Sequence, residues 1–381
     1  MPETITAAEL SALVSRVFQP TREDRRLGIM VDLPDDRVPD DAAWAARRGI
    51  AAEWAELLAA AGEGYETRLL LYPNVHTNNG DLPARCWVHA GGPVPATAAE
   101  LDPAASLPME EIFDGYPMLL ALTKFSSTAP LKVAARKHPM RAATMPGFSA
   151  AMIPALRIDY AEVNRRVDVL KELLDRATGA DFVFRSPAGE DRLHLDLRHR
   201  AAHASGGLLP NRGVAGNLPS GESYIVPYEG ELEGDPSRSE GVLPVQFGTE
   251  VVRYRVARNR AVEVLTRGPE SEREAALLAK EPAYANLAEL GLGVLAAFGV
   301  KPVGSVLLDE KLGLHIAFGR SEHFGGQVGP AAFSSPEAVV HIDRVYVPET
   351  QPDVVPAAVD LVFEDGARFA LMRDGAFGPV F

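Results

Sequence analysis

Cysteine is nearly absent: Cys86 stands alone in 381 residues. No internal disulfide can form, and a disulfide scaffold or a cysteine-rich zinc site is excluded. Positive charge is also scarce, with 38 Lys and Arg against 52 Asp and Glu and a net charge of −14. That balance argues against nucleic acid or an anionic membrane as the main partner. No stretch of about 18 uninterrupted apolar residues occurs, so no transmembrane helix is expected. The opening residues, Met1 to Leu10, carry neither the basic start nor the apolar run of a signal peptide, which leads to an expectation of cytoplasmic localisation. The Gly-x-Ser-x-Gly nucleophile signature is missing. Gly291-Leu-Gly293 lacks the third glycine of a dinucleotide-binding loop.

What is present is an ordinary globular composition, 46% apolar and 24% charged, with Gly 33 and Pro 30 promising many turns and short strands. The length favours two domains. In the first half, apolar runs alternate with helix formers. Leu27 to Leu33 and Thr67 to Tyr72 read as buried strands around a helix from Asp40 to Leu58, capped by Asp and stopped by Gly62. Tyr160 to Ala177 has helical spacing, with Val163, Val167, Leu170 and Leu174 on one face. In the second half the period shortens. Leu243–Phe247, Val251–Val256, Val262–Thr266, Ser305–Leu308, His315–Phe318, Val339–Tyr346, Val359–Phe363 and Phe369–Met372 read as turn-bounded strands, with a helix near Ser271 to Ala279. The expectation is an α/β domain over residues 1–205, followed by an α+β domain over 206–381 with a largely antiparallel sheet or barrel.

The residues with chemistry to offer gather in the second half. His341-Ile-Asp343 sits within a strand, where positions i and i+2 share a face and can grip one ion together. Leu218-Pro-Ser-Gly-Glu222 puts a carboxylate directly after a tight turn. Ala288-Glu-Leu-Gly-Leu-Gly293 presents Glu289 among apolar neighbours, and Asp309-Glu-Lys-Leu-Gly-Leu-His315 brings Glu310 and His315 together across a bend. Each has a plain structural explanation by itself. Ionised acids in apolar, glycine-flanked segments are nevertheless costly without a cation, and four such segments in one domain point to a metal centre. His194, Asp196 and His199 also alternate, but read better as an exposed strand face.

In order and residue type, these four segments resemble the motifs of the aminopeptidase T/aminopeptidase S family of dinuclear metallo-aminopeptidases. The resemblance implies that Glu222, Glu289, Glu310, His315, His341 and Asp343 hold two divalent ions (Zn, Co or Mn), with Glu289 bridging. It further implies a homodimer that cleaves small peptide or amide substrates with a metal-activated water. Glu289 is also the candidate proton shuttle. The family places a tyrosine seven residues after the histidine of its His-Ile-Ala motif. Here that place belongs to Glu322, and His323 beside it becomes the candidate donor to the reacting carbonyl. A second resemblance is to ring-cleaving dihydroxypyridine dioxygenases, which hold one Fe(II) and have histidine where this chain has Glu289. The two retained acids, Glu222 and Glu289, favour two hard ions over one iron. A non-catalytic binding protein that keeps the fold is the remaining alternative.

Overall fold

A computed structural model describes residues 3–381 and divides them into two compact units. The first comprises the residues up to Ala161 together with Ser205–Ser220. Its mixed sheet has seven strands, in the order Val214–Asn217, Arg141–Thr144, Met118–Ala121, Arg26–Leu33, Glu66–Pro73, Arg85–Val88 and Leu107–Pro108. The first five run parallel, and each of the last two pairs antiparallel with the strand before it. Residues 27–33 are all buried, as expected of a parallel strand covered on both faces. The crossover between Arg26–Leu33 and Glu66–Pro73 is the helix Ala42–Ala61. Asp41 accepts the Trp44 backbone N–H at its start, and Gly62 takes a left-handed φ of 70° at its end. Cys86 is buried, and burial pushes its thiol pKa up to about 12.

One buried ion pair anchors this unit. Arg141 and Asp24 are each 1% exposed, joined by Nη2–Oδ2 and Nη1–Oδ1 contacts of 2.9 and 3.1 Å. Arg141 also donates to the Phe18 carbonyl, and Arg212 donates to Asp24 at 3.0 Å. Burial pushes the Asp24 pKa upward, but the Arg141 guanidinium, the Thr21 backbone N–H and Arg212 outweigh it and hold the carboxyl below its usual range. A depressed folded-state pKa gives stability that is complete above the unfolded carboxylate range, about 3.9, and is lost as pH falls below it. Arg141→Met is therefore expected to cost about 3 kcal/mol at neutral pH, because it leaves the buried carboxylate only the partly exposed Arg212 and the Thr21 backbone N–H. Denaturant unfolding at pH 7 and pH 3 checks this, and the loss should shrink at the lower pH.

The second unit comprises Glu162–Ala204 and Gly221–Phe381 and carries two largely antiparallel sheets. One has eight strands, in the order Arg260–Val264, Glu250–Ala257, Glu240–Phe247, Gly189–Asp196, Ala177–Ser186, Val355–Phe363, Arg368–Arg373 and Ala376–Phe377. The other has five: His341–Val345, Leu314–Gly319, Leu287–Gly293, Glu222–Ile225 and His203–Ser205. Aromatic residues link them. Phe318 of the smaller sheet lies 5.2 Å from the Tyr254 ring, and Tyr346 lies 5.0 Å from Phe184. The helix Tyr160–Arg176 buries Val163, Val167, Leu170 and Leu174, and the Val167 carbonyl accepts the Ser223 hydroxyl at 2.6 Å.

The fold is thus α/β plus α+β with largely antiparallel sheets. The units do not divide at residue 205. Ala177–Ser186 pairs with both Gly189–Asp196 and Val355–Phe363, which commits residues 162–204 to the second unit. Residues 205–220 return to the first unit, where Val214–Asn217 adds an edge strand. Ser305 to Leu308, expected as a strand, begins a helical turn over Val306–Asp309. No helix among the described residues is long and apolar enough to cross a membrane.

Candidate metal centre

Strand register builds the site on one face of the five-stranded sheet. Glu222 lies opposite Gly293, Tyr224 opposite Gly291, Gly291 opposite His315, Ala317 opposite both Glu289 and Asp343, and Gly319 opposite His341. Side chains alternate along a strand, so Glu222, Tyr224, Glu289, His315, His341 and Asp343 share this face. The positions between them, Gly291, Gly293, Ala317 and Gly319, have little or no side chain, leaving a low floor for long polar groups. A Cβ on Gly291 would lie inside the His315 imidazole, and one on Gly293 would strike the backbone of Glu310 and Lys311.

Two ligand sets meet on this floor, and both contain Glu289. Its Oε1 is 3.3 Å from His315 Nε2, which is 3.5 Å from Glu222 Oε2. Its Oε2 is 3.2 Å from His341 Nε2, which is 3.4 Å from Asp343 Oδ1. The donor atoms of Glu222, Glu289 and His315 lie within 4.8 Å of one another, as do those of Glu289, His341 and Asp343. Each imidazole is oriented from behind: His315 Nδ1 faces the Gly313 carbonyl at 3.2 Å and His341 Nδ1 faces the Arg320 carbonyl at 2.7 Å. A proton on each Nδ1 satisfies these carbonyls and directs Nε2 at the acids.

The electrostatics fit a cation. Burial opposes the charge on His315, but Glu289, Asp343 and Glu222 outweigh it and raise the pKa to about 9. Burial likewise opposes charge on His341, and Asp343 with Glu289 drives its pKa well upward. Burial would raise Glu289, yet hydrogen bonds from the two imidazoles bring it down to about 2. Without metal, the histidines take up protons as counter-charge for the acids; divalent ions would displace those protons. Glu222 Oε2 and Asp343 Oδ1 are buried and find no hydrogen-bond partner among the described residues, and such orphaned oxygens fit metal ligation. One carboxylate, one imidazole and the shared Glu289 in each set suit hard or borderline divalent ions.

Glu310 and Lys311 complete the cluster. The Lys311 ammonium is 1% exposed and contacts Glu222 Oε1 at 2.5 Å as well as Glu310 Oε1. Burial pushes the Glu310 pKa well up, Glu222 and Asp343 add to the rise, and Lys311 opposes it. Glu310 therefore reaches the centre, but its carboxyl is held by lysine.

His323 lies on the turn Glu322–Phe324, its ring 5.5 Å from His341 and 3.8 Å from Phe324. Burial, then the charges of His341 and Arg320, lower its pKa to about 4, so the ring is neutral at pH 7. Glu322 turns instead to Arg320 in a two-pronged ion pair of 2.5 and 2.6 Å. Three side chains that the motifs do not flag pack beside the centre, Phe324 lying 5.4 Å from His341. Tyr224 packs 4.8 Å from Phe324 and 5.1 Å from His203, whose Nε2 lies 3.1 Å from the Phe324 carbonyl. Tyr224 and Phe324 carry the sequence signal of an aromatic residue close to a candidate site residue, whereas nothing in the sequence marks His203. The His194 group does not converge: His194 pairs with Asp181, buried Asp196 with Arg198, and His199 with Asp235.

No family model matches the chain, and no curated protein matches it by sequence. Solved structures do match. The 2,5-dihydroxypyridine dioxygenase from Pseudomonas putida KT2440 aligns over 99% of both chains at 15% identity, with a TM-score of 0.61. Wild-type AmpT from Thermus thermophilus aligns over 97% of this chain and 98% of its own at 18% identity, with a TM-score of 0.54. This chain has their fold. Both alignments run through the first unit as well as the second, so the likeness extends well beyond the C-terminal motifs. The two neighbours differ in activity, so the shared fold does not by itself assign one to this chain.

Proposed function

We propose that the chain is a metal-dependent hydrolase of peptide or amide bonds, aminopeptidase-like, with two divalent ions at Glu222, Glu289, His315, His341 and Asp343. The observation that carries this reading is the division of Glu289: each of its oxygens faces a different imidazole and a different partner acid. Ions held there would supply an acidified water and positive charge for a developing oxyanion. With both oxygens engaged, Glu289 holds the centre together and is poorly placed to shuttle protons. That task falls to His323, which is neutral at pH 7 and beside His341. Neutral imidazole can donate from one nitrogen and accept at the other. Tyr224, Phe324 and His203 place aromatic groups beside the centre, suited to an apolar substrate group.

The dioxygenase reading is favoured by its structural neighbour's higher TM-score. It is opposed by the acid at position 289, because a mononuclear Fe(II) site of two histidines and one carboxylate needs no carboxylate shared between two imidazoles.

The test counts metal per chain and assays aminoacyl amides, N-blocked amides and a hydroxylated aromatic ring. Two ions with amide cleavage are expected. One iron with oxygen uptake on the ring would replace this reading with the dioxygenase. In the same assay, His323→Ala should retain its metal and lose roughly 10²–10³-fold in kcat, the usual scale for a lost proton-transfer or oxyanion group.

A further inference from the structure

The two ligand sets are chemically alike: each has an imidazole backed by a carbonyl, one carboxylate of its own and one oxygen of Glu289. Lys311 breaks that likeness. Its ammonium sits on Glu222 Oε1, in the His315 set, and on Glu310, and it contacts neither His341 nor Asp343 by ion pair or hydrogen bond among the described residues. The lysine is well fixed. It is 1% exposed and lies on the short turn Glu310–Leu312, whose backbone passes directly over Gly293. Two carboxylates, Glu222 and Glu310, lie directly against this buried ammonium, so its charge is matched where water is excluded.

We propose that Lys311 makes the two seats unequal: it withdraws Glu310 from ligation and shares the charge of Glu222, so one ion binds tightly at Glu289–His341–Asp343 and a second binds loosely at Glu222–Glu289–His315. This rests on the metal-centre reading above and goes beyond it by assigning an order of filling. The reason is electrostatic. A carboxylate already paired with a buried cation is a poorer partner for a second cation, and the two positive charges repel in a medium that screens them weakly. The loose seat would exchange its ion with solvent while the tight one retains it, making occupancy of the second seat responsive to metal supply.

Calorimetric titration of metal-stripped protein with Mn²⁺ and with Zn²⁺, supported by metal analysis after gel filtration, tests the order. Wild-type protein is expected to show two phases at least roughly tenfold apart in affinity and to keep one ion through the column. Lys311→Met should tighten the loose phase roughly tenfold or more and retain two ions, whereas Lys311→Arg, which preserves the charge, should behave like wild type. Because Lys311→Met buries two uncompensated acids, its metal-free form should melt lower and regain more stability on adding Mn²⁺ than wild type does. His315→Ala leaves the lysine in place and should abolish only the loose phase, while His341→Ala should abolish the tight one. Equal phases in wild type, a loose phase unmoved by Lys311→Met, or loss of the tight phase in His315→Ala would each overturn the role of Lys311 while leaving a metal centre standing. Wild-type protein that binds neither ion would overturn the metal-centre reading itself.

Discussion

Glu289→Gln is expected to lower turnover by roughly a thousandfold or more, about 4 kcal/mol in the barrier, and to reduce bound metal below one ion per chain. The amide has nearly the shape of the carboxylate it replaces, so packing around the 3% exposed side chain should survive. What is lost is the charge facing His315 and His341 from two oxygens at once. A neutral amide offers one oxygen and one N–H₂ group, so one of the two ligand sets meets a donor where it needs an acceptor. Metal analysis beside kcat/KM checks the result, and full metal with full activity would remove Glu289 from the centre. His194→Ala is the matched control. His194 meets Asp181 across two strands at 2.6 Å with both side chains about a third exposed, so metal content should hold and stability should change by about 0.5 kcal/mol or less.

Gly291→Ala should be nearly as severe, although it removes no functional group. Gly291 faces His315 across the strand pair, and the ring lies where the new methyl group would go. His315 is fully buried and cannot swing aside without leaving the Gly313 carbonyl and Glu289. Overpacking of this kind costs about 1–3 kcal/mol, and here the displaced group is a candidate ligand. The expected outcome is a lower melting temperature with loss of the ion held by His315, read by thermal unfolding and metal analysis. Gly49→Ala provides the contrast. It lies within the helix Ala42–Ala61 with nothing within 4 Å of a new Cβ, so stability should rise by about 0.5–1 kcal/mol.

The contrast also explains what could be read from the sequence. The meeting of the acid- and histidine-bearing segments was legible because a two-residue side-chain period fixes faces: His341 and Asp343 must point the same way, and strands that pair bring like faces together. The glycines after Glu289 were visible, but their purpose was not, since the atom that forbids a side chain at Gly291 belongs to a residue 24 positions later. Lys311 was hidden for a related reason. A lysine beside an acid ordinarily points to water, and only the path of the turn over Gly293 shows that this one does not. Ser305–Leu308 was misread because its three apolar residues are too short a run for periodicity to separate strand from helical turn. The boundary near 205 failed because the segment there does mark a passage between units, but one of several. The alternation of Ala180, Phe182 and Phe184, all buried, was the available sign that the antiparallel sheet had already begun.

The pairing of Ala177–Ser186 has a consequence for how the chain is made. One edge of this strand is closed by the hairpin with Gly189–Asp196, while its other edge waits for Val355–Phe363. A ribosome delivering residues in order therefore leaves a ten-residue strand with an open hydrogen-bonding edge until residues 355–363 have emerged. Such an edge can recruit strands from neighbouring nascent chains. Stalled or truncated products ending before residue 355 should consequently collect in aggregates, even when they already contain every acid and histidine of the centre.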